Sequence, residues 1–394
     1  MVIVPSQMGR HNKRALLERM LQLGTASRAE LAKSLGLSQP TAGKIADELL
    51  ELGVFEETDE AAPEASAAPS ANRRLGRPAR MLRLTQSKPR FLGIQLGLTK
   101  TSLSPLPLTI KDEGSWTNDF ETPATAKEWL RGLLKAAARI PQKSFWGILF
   151  SVPGLVDERK AEILYSPNLH WTERTGLSDL IREVWDAPVI LIQEERALAL
   201  GHHSADPEGE DFLFVEFGDG VGGAIMISGK LFSHPLPIGG ELGHTPVMGN
   251  TRPCGCGSVG CLETLASTRA LLQSFATARP RSPKTWKALA KSVAAHGVEP
   301  WLAKTLDSMA AVIAGALNVL GLKRVVITGD VIELPSAVFS YLSAAIIKGA
   351  LWARFGELEV EKAPRRRKAG LVAAGIDRLI FPVETTDLAV NTQI

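Results

Sequence analysis

Residues 239–263 read GGELGHTPVMGNTRPCGCGSVGCLE and contain all three cysteines of the chain, Cys254, Cys256 and Cys261. Three thiolates and the imidazole of His244 can complete a tetrahedral zinc shell, and the interspersed glycines allow the tight turns that bring the sulfurs together. Four protein ligands leave no open coordination position, so the pattern predicts a structural Zn²⁺ ion. The alternative is three buried cysteines that bind no metal.

The length and composition of the chain indicate a globular protein. The chain has 394 residues, of which 45% are hydrophobic and 22% are charged, so two or three domains with buried cores are expected. No apolar run approaches the roughly 20 residues of a membrane-spanning helix, and the polar, basic N-terminus does not resemble a secretory signal. We therefore expect no membrane contact and a cytoplasmic location, where three clustered thiols stay reduced.

The basic excess of the chain lies near its N-terminus. Residues 1–90 hold 14 Lys and Arg against 10 Asp and Glu, a net charge of +4, whereas the other residues hold 31 against 32, a net charge of −1. The N-terminal part is therefore the candidate for binding an anion such as nucleic acid. A solvated surface would show the same modest excess.

The N-terminal residues have the pattern of three short helices. Apolar side chains recur at helical spacing over 13–23. Ser27 and Glu30 can form a capping box, which predicts a second helix over 28–35, and Ser38 can cap a third. Three helices with a glycine-bearing turn between the second and third predict a helix-turn-helix.

The start of the third helix carries short polar side chains that suit the major groove of DNA. The residues predicted to contact DNA there are Ser38, Gln39, Pro40, Thr41 and Lys44. The alternative is a small helical bundle used for contacts with a partner protein. Strand patterns over 53–57 and 79–84 resemble a wing, and they favour a winged helix-turn-helix.

The segment between the two wing strands is rich in Ala, Pro and Ser and then in Arg. Its composition predicts a flexible wing tip and linker over 58–78. Arg74 and Arg77 lie there on a proline-stiffened backbone that can enter an A·T-rich minor groove. The alternative is a basic linker that contacts phosphates alone. We assign residues 1–88 to a winged helix-turn-helix DNA-binding domain.

The remaining residues, 89–394, alternate strand and helix patterns. Segments 91–110 and 211–232 each predict two strands joined by a glycine-bearing turn, and 189–193 predicts a buried strand before a helix. A long apolar helix is predicted over 301–320, before another strand. This alternation predicts an α/β architecture with two lobes and a cleft.

The motif GGELGH, with Cys254, Cys256, Cys261 and Glu263 at their spacing, resembles the signature of the ROK family of bacterial sugar kinases and sugar-responsive repressors. The stretches Val152-Pro153-Gly154 and Ser166-Pro167-Asn168 also match. The resemblance spans most of 90–380 and implies a two-lobed actin/hexokinase-like ATPase fold. A winged helix-turn-helix in front of it is the layout of the family's repressor branch, which includes xylose and N-acetylglucosamine repressors.

The resemblance also implies a sugar pocket. The residues that correspond to the family's sugar ligands are Asn168, Gln193, Glu194, Glu241, His244 and Glu263. Glu194 stands where family kinases carry an aspartate as catalytic base, with Arg196 as a counter-charge for Glu194 or Glu195. For Glu241 and Glu263 the alternative is a surface or helix-capping role.

Three positions depart from the pattern of the family's kinases. Gln95 replaces an aspartate in the first phosphate loop, Leu98 replaces a glycine, and Asp219 replaces a threonine in the second loop. A carboxylate near a triphosphate is repelled. We therefore expect poor ATP binding, no catalytic residues and no enzyme activity.

The resemblance and these departures together predict a transcriptional repressor. Its expected partners are an operator in double-stranded DNA, a sugar or sugar-phosphate effector, and further copies of itself in a dimer or tetramer. The alternatives are a ROK sugar kinase with an added domain and a DNA-binding scaffold that ignores sugars. The basic cluster 365–368 is expected in a solvated loop, with an auxiliary DNA or protein contact as the alternative.

Overall fold

The computed structural model describes residues 5–59, 80–86, 88–110, 112–207, 209–232 and 239–380. They form an N-terminal helical unit and two lobes, each built on a five-stranded sheet. Arg74, Arg77 and nearly all of the expected linker 58–78 lie outside the described residues.

The N-terminal unit packs three helices against a small antiparallel sheet with strand order β1-β3-β2. Its elements are α1 (Pro5–Leu23), β1 (Thr25–Ser27), α2 (Arg28–Ser34), α3 (Gln39–Glu51), β2 (Phe55–Thr58) and β3 (Met81–Leu84). The predicted capping box is present, since Ser27 and Glu30 satisfy each other's backbone amides. Leu16, Met20 and Leu49 are fully buried in the core between them.

Two features of this unit differ from the sequence prediction. Helix α1 begins before residue 13, because the polar stretch in front of it has no apolar repeat to reveal it. Strand β1 was missed, since three residues are too few for an alternating pattern. It pairs with β3 through Ala26 and Leu82.

The first lobe contains a mixed sheet with strand order β10-β7-β4-β5-β6. Its elements are β4 (Phe91–Leu96), β5 (Lys100–Leu106), β6 (Asn118–Glu121), α4 (Ala126–Ala138), β7 (Gly147–Val152), β8 (Leu155–Asp157), β9 (Glu162–Tyr165), α5 (Leu177–Val184) and β10 (Val189–Gln193). Strands β4, β7 and β10 run parallel, so their carboxyl ends meet at one edge.

The second lobe repeats that topology, with strand order β13-β12-β11-β14-β15. Its strands are β11 (Phe212–Phe217), β12 (Val221–Ile227), β13 (Lys230–Leu231), β14 (Arg324–Gly329) and β15 (Glu359–Lys362). Its helices are α6 (Glu194–Ala205), α7 (Glu263–Ala266), α8 (Thr268–Ala278), α9 (Trp286–His296), α10 (Pro300–Leu320), α11 (Ser336–Gly349) and α12 (Arg367–Gly375), which continues into one π-helical turn, Ile376–Ile380. By length and composition α10 could cross a membrane, yet its Leu302, Leu306 and Ile313 are completely buried in this lobe.

Helix α12 connects the two lobes with the N-terminal unit. A Cβ added to Gly370 would lie 1.7 Å from the carbonyl oxygen of Ala197, and one added to Gly201 would lie 2.1 Å from that of Arg366, so the backbones of α6 and α12 touch. Beyond α12, Asp377 forms an ion pair with Arg14 of α1. The apolar core of the N-terminal unit continues into the inner face of α12.

Candidate functional site

A cleft between the two lobes collects polar side chains from distant parts of the chain. Its cavity measures about 210 Å³. All the residues predicted to bind sugar line it, namely Asn168, Gln193, Glu194, Glu241, His244 and Glu263. Gln193 ends strand β10 and Glu194 begins α6, so the carboxyl end of a parallel strand presents both side chains to the cleft.

Gln193, Glu241 and His244 form a connected polar group in the cleft. Gln193 Nε2 donates a hydrogen bond to Glu241 Oε1 at 3.1 Å, and His244 Nε2 lies 3.8 Å from Glu241 Oε2. Burial raises the pKa of Glu241, while the neighbouring His244 acts in the opposite direction. Together these groups offer donors and acceptors of the kind that bind vicinal hydroxyls.

Glu263 connects the loop that carries the cysteines to the hairpin formed by β11 and β12 in the second lobe. Its Oε2 accepts the backbone N–H of Val221 at 3.0 Å. Glu263 begins α7, two residues after the predicted metal ligand Cys261. The first residue of β12 is therefore fixed to the predicted metal site.

Two arginines that the sequence reasoning did not place in the site reach into the cleft. Arg365 Nε lies 2.6 Å from Glu216 Oε1, and its Nη1 lies 2.6 Å from Asp330 Oδ1. Arg367 Nε lies 2.7 Å from Glu194 Oε1, and its Nη2 lies 3.3 Å from Glu216 Oε1. Three carboxylates and two guanidinium groups that line the cleft are thus joined by ion pairs.

The prediction that cluster 365–368 is a solvated loop is therefore wrong. Arg365 and Arg367 line the cleft. Lys368 is buried, and its Nζ donates to the backbone carbonyl of Ser115 at 2.7 Å. A run of basic residues is usually solvated, and these partners lie up to 253 positions away in the chain. Local patterns carry no signal for such contacts.

Gln95, near the end of strand β4, also directs its side chain toward Glu194. Gln95 Nε2 donates to Glu194 Oε1 at 3.0 Å, the same oxygen that accepts from Arg367. Asp219 lines the cleft, and burial, with added repulsion from Asp330 and Glu194, raises its pKa. Gln95 thus helps to hold the Glu194 carboxylate in place, and Asp219 adds an acid to the cleft.

Glu194 is paired with Arg367, whereas Arg196 forms an ion pair with Glu158. Its Nε lies 2.9 Å from Glu158 Oε1, and its Nη1 donates to the carbonyl of Phe232 at 3.0 Å. Adjacent residues on a helix point in different directions, which separates Arg196 from the two acids before it.

His244, Cys254, Cys256 and Cys261 converge as the sequence predicted. Their ligand atoms all lie within 4.8 Å of one another. His244 Nδ1 is 3.6 Å from Cys254 Sγ, and Cys256 Sγ is 3.7 Å from Cys261 Sγ. Tetrahedral zinc with bonds of about 2.3 Å to sulfur and about 2.0 Å to nitrogen separates its ligands by about 3.5–3.8 Å, so the donor set fits this metal.

A metal at this cluster would have to displace the protons of the thiols. Burial raises the pKa of Cys261 to about 12, so this thiol stays protonated at neutral pH unless a cation displaces the proton. Nδ1 of His244 faces the thiols while Nε2 faces Glu241. A bound metal would therefore orient a side chain of the cleft.

The residues predicted to contact DNA from the third helix lie together on its exposed first turns. They are Ser38, Gln39, Pro40, Thr41 and Lys44. Ser38 Oγ accepts the backbone N–H of Thr41 at 3.2 Å and lies 2.7 Å from the Thr41 hydroxyl, so part of this polar surface caps the helix.

The sequence is similar to those of known bacterial repressors. The xylose repressor of Caldicellulosiruptor bescii is 28% identical over 279 residues, which cover 67% of this chain and 67% of that protein. The DNA-binding transcriptional dual regulator NagC of Escherichia coli K12 is 25% identical over 385 residues, which cover 92% of this chain and 91% of NagC.

Solved structures support the fold. A ROK family transcriptional regulator, a homologue of the E. coli MLC protein, superposes with a TM-score of 0.70 and 21% identity and covers 94% of this chain and 97% of its own. A ROK family glucokinase from Streptomyces griseus in complex with glucose and AMPPNP has a TM-score of 0.57 and 24% identity, covering 72% of this chain and 97% of its own. The two lobes therefore have the actin/hexokinase-like fold of these proteins. Because the profile of the ROK family matches residues 91–376, which is more than half of the sequence, this chain belongs to the ROK family.

Proposed function

We propose that the protein is a DNA-binding transcriptional regulator of carbohydrate metabolism, acting as a repressor. The observation that carries this proposal is the extent of the structural likeness. The ROK transcriptional regulator matches 94% of this chain, whereas the ROK glucokinase matches 72%. The repressor NagC likewise aligns with 92% of the chain. The N-terminal unit is thus part of what the chain shares with regulators.

In this proposal residues 1–88 form a winged helix-turn-helix. Helices α2 and α3 are the two helices of the motif, and β2 and β3 form the wing. The first turns of α3 enter the major groove, where Gln39 and Thr41 contact base edges and Lys44 contacts phosphate. Arg74 and Arg77 contribute from the linker, through an A·T-rich minor groove or through phosphates.

Residues 89–394 form an effector domain that no longer transfers phosphate. A general base must lie within hydrogen-bond reach of the substrate hydroxyl, and here Gln95 and Arg367 hold the Glu194 carboxylate through Oε1 instead. Asp219 adds a repulsive charge beside the position of a nucleotide phosphate. We therefore assign no catalytic residue and propose that the protein is not an enzyme.

A structural zinc would hold the loop of residues 239–263 in place. His244 and the three cysteines supply four ligands, which leaves no position open for a water or a substrate. The ion would brace the loop that carries Glu241 and Glu263, two of the proposed sugar ligands. It would supply folding free energy and no chemical step.

Helix α12 is the proposed connection between effector and DNA. Its first residue, Arg367, is paired with Glu194 in the cleft, and Asp377 just beyond its other end is paired with Arg14 in the N-terminal unit. An effector that competes for Glu194 displaces Arg367 and thereby shifts α12 against α1. The protein would act as a cytoplasmic dimer or tetramer whose paired recognition helices match half-sites roughly 34 Å apart.

The test combines selection of bound duplexes from a random DNA pool with a panel of sugars and sugar phosphates as competitors. We expect enrichment of a pseudo-palindromic site and its release by one class of sugar. Each sugar is also incubated with Mg²⁺ and ATP. Failure to enrich any duplex, or phosphorylation of any of the sugars, would overturn the proposal.

A further inference from the structure

The cleft is strongly acidic. Its carboxyl groups belong to Glu194, Glu195, Glu216, Asp219, Glu241, Glu263 and Asp330. Two arginines, Arg365 and Arg367, are the only Lys or Arg side chains among the described residues that line it. Charge of one sign in a cleft with low-dielectric walls attracts the opposite charge and repels its own.

The two arginines do not supply free positive charge for a ligand. Arg365 is engaged by Glu216 and Asp330, and Arg367 by Glu194 and Glu216. An anionic ligand would have to displace these carboxylates and leave them buried without partners, which is costly. A cationic ligand that replaces Arg367 at Glu194 brings its own positive charge and leaves no carboxylate unpaired.

Glu195 provides a second, independent observation. Its Oε2 atom is buried and has no hydrogen-bond partner among the described residues, although its stem is partly exposed at the cleft. A Cβ added to Gly222 would lie 2.6 Å from Glu195 Oε1, so the carboxyl group packs against the bare backbone of β12. A buried acceptor without a donor is unfavourable. This atom therefore marks where a ligand donor fits.

Burial is the largest cause that raises the pKa of Glu195 well above its ordinary value. The next causes are three acids, namely Glu194 on its own helix, Glu216 on β11 and Glu241. A cation placed beside this carboxyl group would relieve the repulsion from all of these neighbours.

We propose that the effector is an amino sugar whose free ammonium group binds at Glu195, and that the cleft rejects sugars carrying a phosphate or a carboxylate. This inference rests on the proposed function, because it names the class of effector for the same cleft. The hydroxyl groups of the ring bind Asn168, Glu241 and His244. The cavity of about 210 Å³ lies below the roughly 300–1,000 Å³ of pockets for drug-sized ligands, which suits a monosaccharide.

The experiment is calorimetric titration of the full-length zinc-loaded protein at pH 7 with matched sugars. Glucose, galactose and mannose are each compared with the 2-amino-2-deoxy sugar, its N-acetyl derivative and the hexose 6-phosphate. A charge-assisted hydrogen bond contributes about 1.5–3 kcal/mol, so we expect at least one free amino sugar to bind roughly tenfold or more tightly than its parent. The N-acetyl derivative and the 6-phosphate should bind no better than the parent.

Glu195→Gln is the decisive variant. It retains the shape of the side chain but removes the charge, so it should abolish the preference for the amino sugar while the parent sugar still binds. Glu333→Gln, which changes an exposed acid outside the cleft, should keep the preference. Unfolding temperature and zinc content show that both variants are folded.

Several results would overturn the inference. The first is tighter binding of the N-acetyl sugar or the 6-phosphate than of the parent sugar. The second is an unchanged preference for the amino sugar in Glu195→Gln, and the third is that no amino sugar binds. Binding of Mg²⁺ alone that is lost in Glu195→Gln would identify a metal site instead. If a neutral or anionic sugar binds and releases DNA, the inference fails while the proposed function stands. If no sugar binds and no duplex is selected, both fail.

Discussion

Arg367 Nε lies 2.7 Å from Oε1 of Glu194, and this contact joins the first residue of α12 to the first residue of α6. Gln95 Nε2 reaches the same oxygen at 3.0 Å. The carboxylate therefore has two donors before any ligand enters the cleft. A ligand that binds Glu194 must compete with Arg367, and this competition is the step at which we propose that the effector acts.

Replacing Arg367 by Gln should uncouple the effector from DNA. The change removes the guanidinium hydrogen-bond donors that Glu194 and Glu216 have in a mostly buried site. We expect this loss to lower the free energy of unfolding by about 1–3 kcal/mol. Denaturant unfolding measures this loss, and competition assays should show operator binding that no longer responds to the effector. Arg354→Gln, at an exposed position, serves as the control, and a normal effector response in R367Q would contradict the switch.

Replacing Cys256 by Ser should remove the metal. Four ligands are needed for a closed zinc shell, and metal affinity in such sites contributes folding free energy. Elemental analysis should find about one zinc per chain in the unchanged protein and much less in C256S, with a lower unfolding temperature for the larger domain. Ser258→Ala alters an exposed side chain of the same loop and should retain the zinc.

Two substitutions on α3 should separate affinity from specificity. Lys44→Ala is expected to weaken binding to all duplexes alike and to reduce the slope of log K against log salt by about 1, because it removes one phosphate contact. Gln39→Ala should relax the base preference instead. Lys127→Ala on α4 is the control for lost positive charge. Unchanged base preference in Q39A would mean that α3 is not the reading helix.

The pair formed by Arg14 and Asp377 should transmit the response of the effector domain. Arg14→Asp should leave sugar binding intact, since the residue lies outside the cleft, but should diminish the release of DNA by sugar. Asp377→Arg alone should do the same. The double exchange R14D/D377R restores opposite charges and should restore the response. A response that survives both single variants would exclude this route.

Removing the acid at Glu195 should stabilise the protein at neutral and alkaline pH. A raised pKa means that the native state binds more protons than the unfolded state, so stability falls as pH rises above the unfolded value of about 4.3. Glu195→Gln lacks this penalty. Its unfolding temperature should match the unchanged protein near pH 4 and exceed it increasingly toward pH 8. Glu333→Gln should show no such divergence.

Much of the fold was predictable because local patterns encode it. The capping box at Ser27, the cap at Ser38 and the alternating strands of the wing are short-range signals, and the structure confirms these elements. The cysteine and histidine spacing predicted the convergence at the metal site for the same reason. The six residues that the resemblance implies for a sugar pocket line one cleft, and their binding of a sugar stays a prediction.

What the sequence could not predict depends on contacts between distant segments. The partners of Arg365 and Arg367 lie 35 to 173 positions away, so a basic run resembled a solvated loop. The unpaired oxygen of Glu195 follows from how α6 packs on β12, which no motif encodes. Strand β1 was too short to give an alternating signal.

The backbones of α6 and α12 touch at Gly201 and Gly370, where no side chain separates the two helices. Our proposal that α12 transmits the response implies that α12 tilts about this contact. Arg367 lies three residues before Gly370, and Asp377 lies seven residues after it. At the rise of an α-helix these separations correspond to about 4.5 Å and about 10.5 Å along the axis. Under this proposal, a small displacement of Arg367 in the cleft would reach α1 enlarged about twofold and reversed in direction.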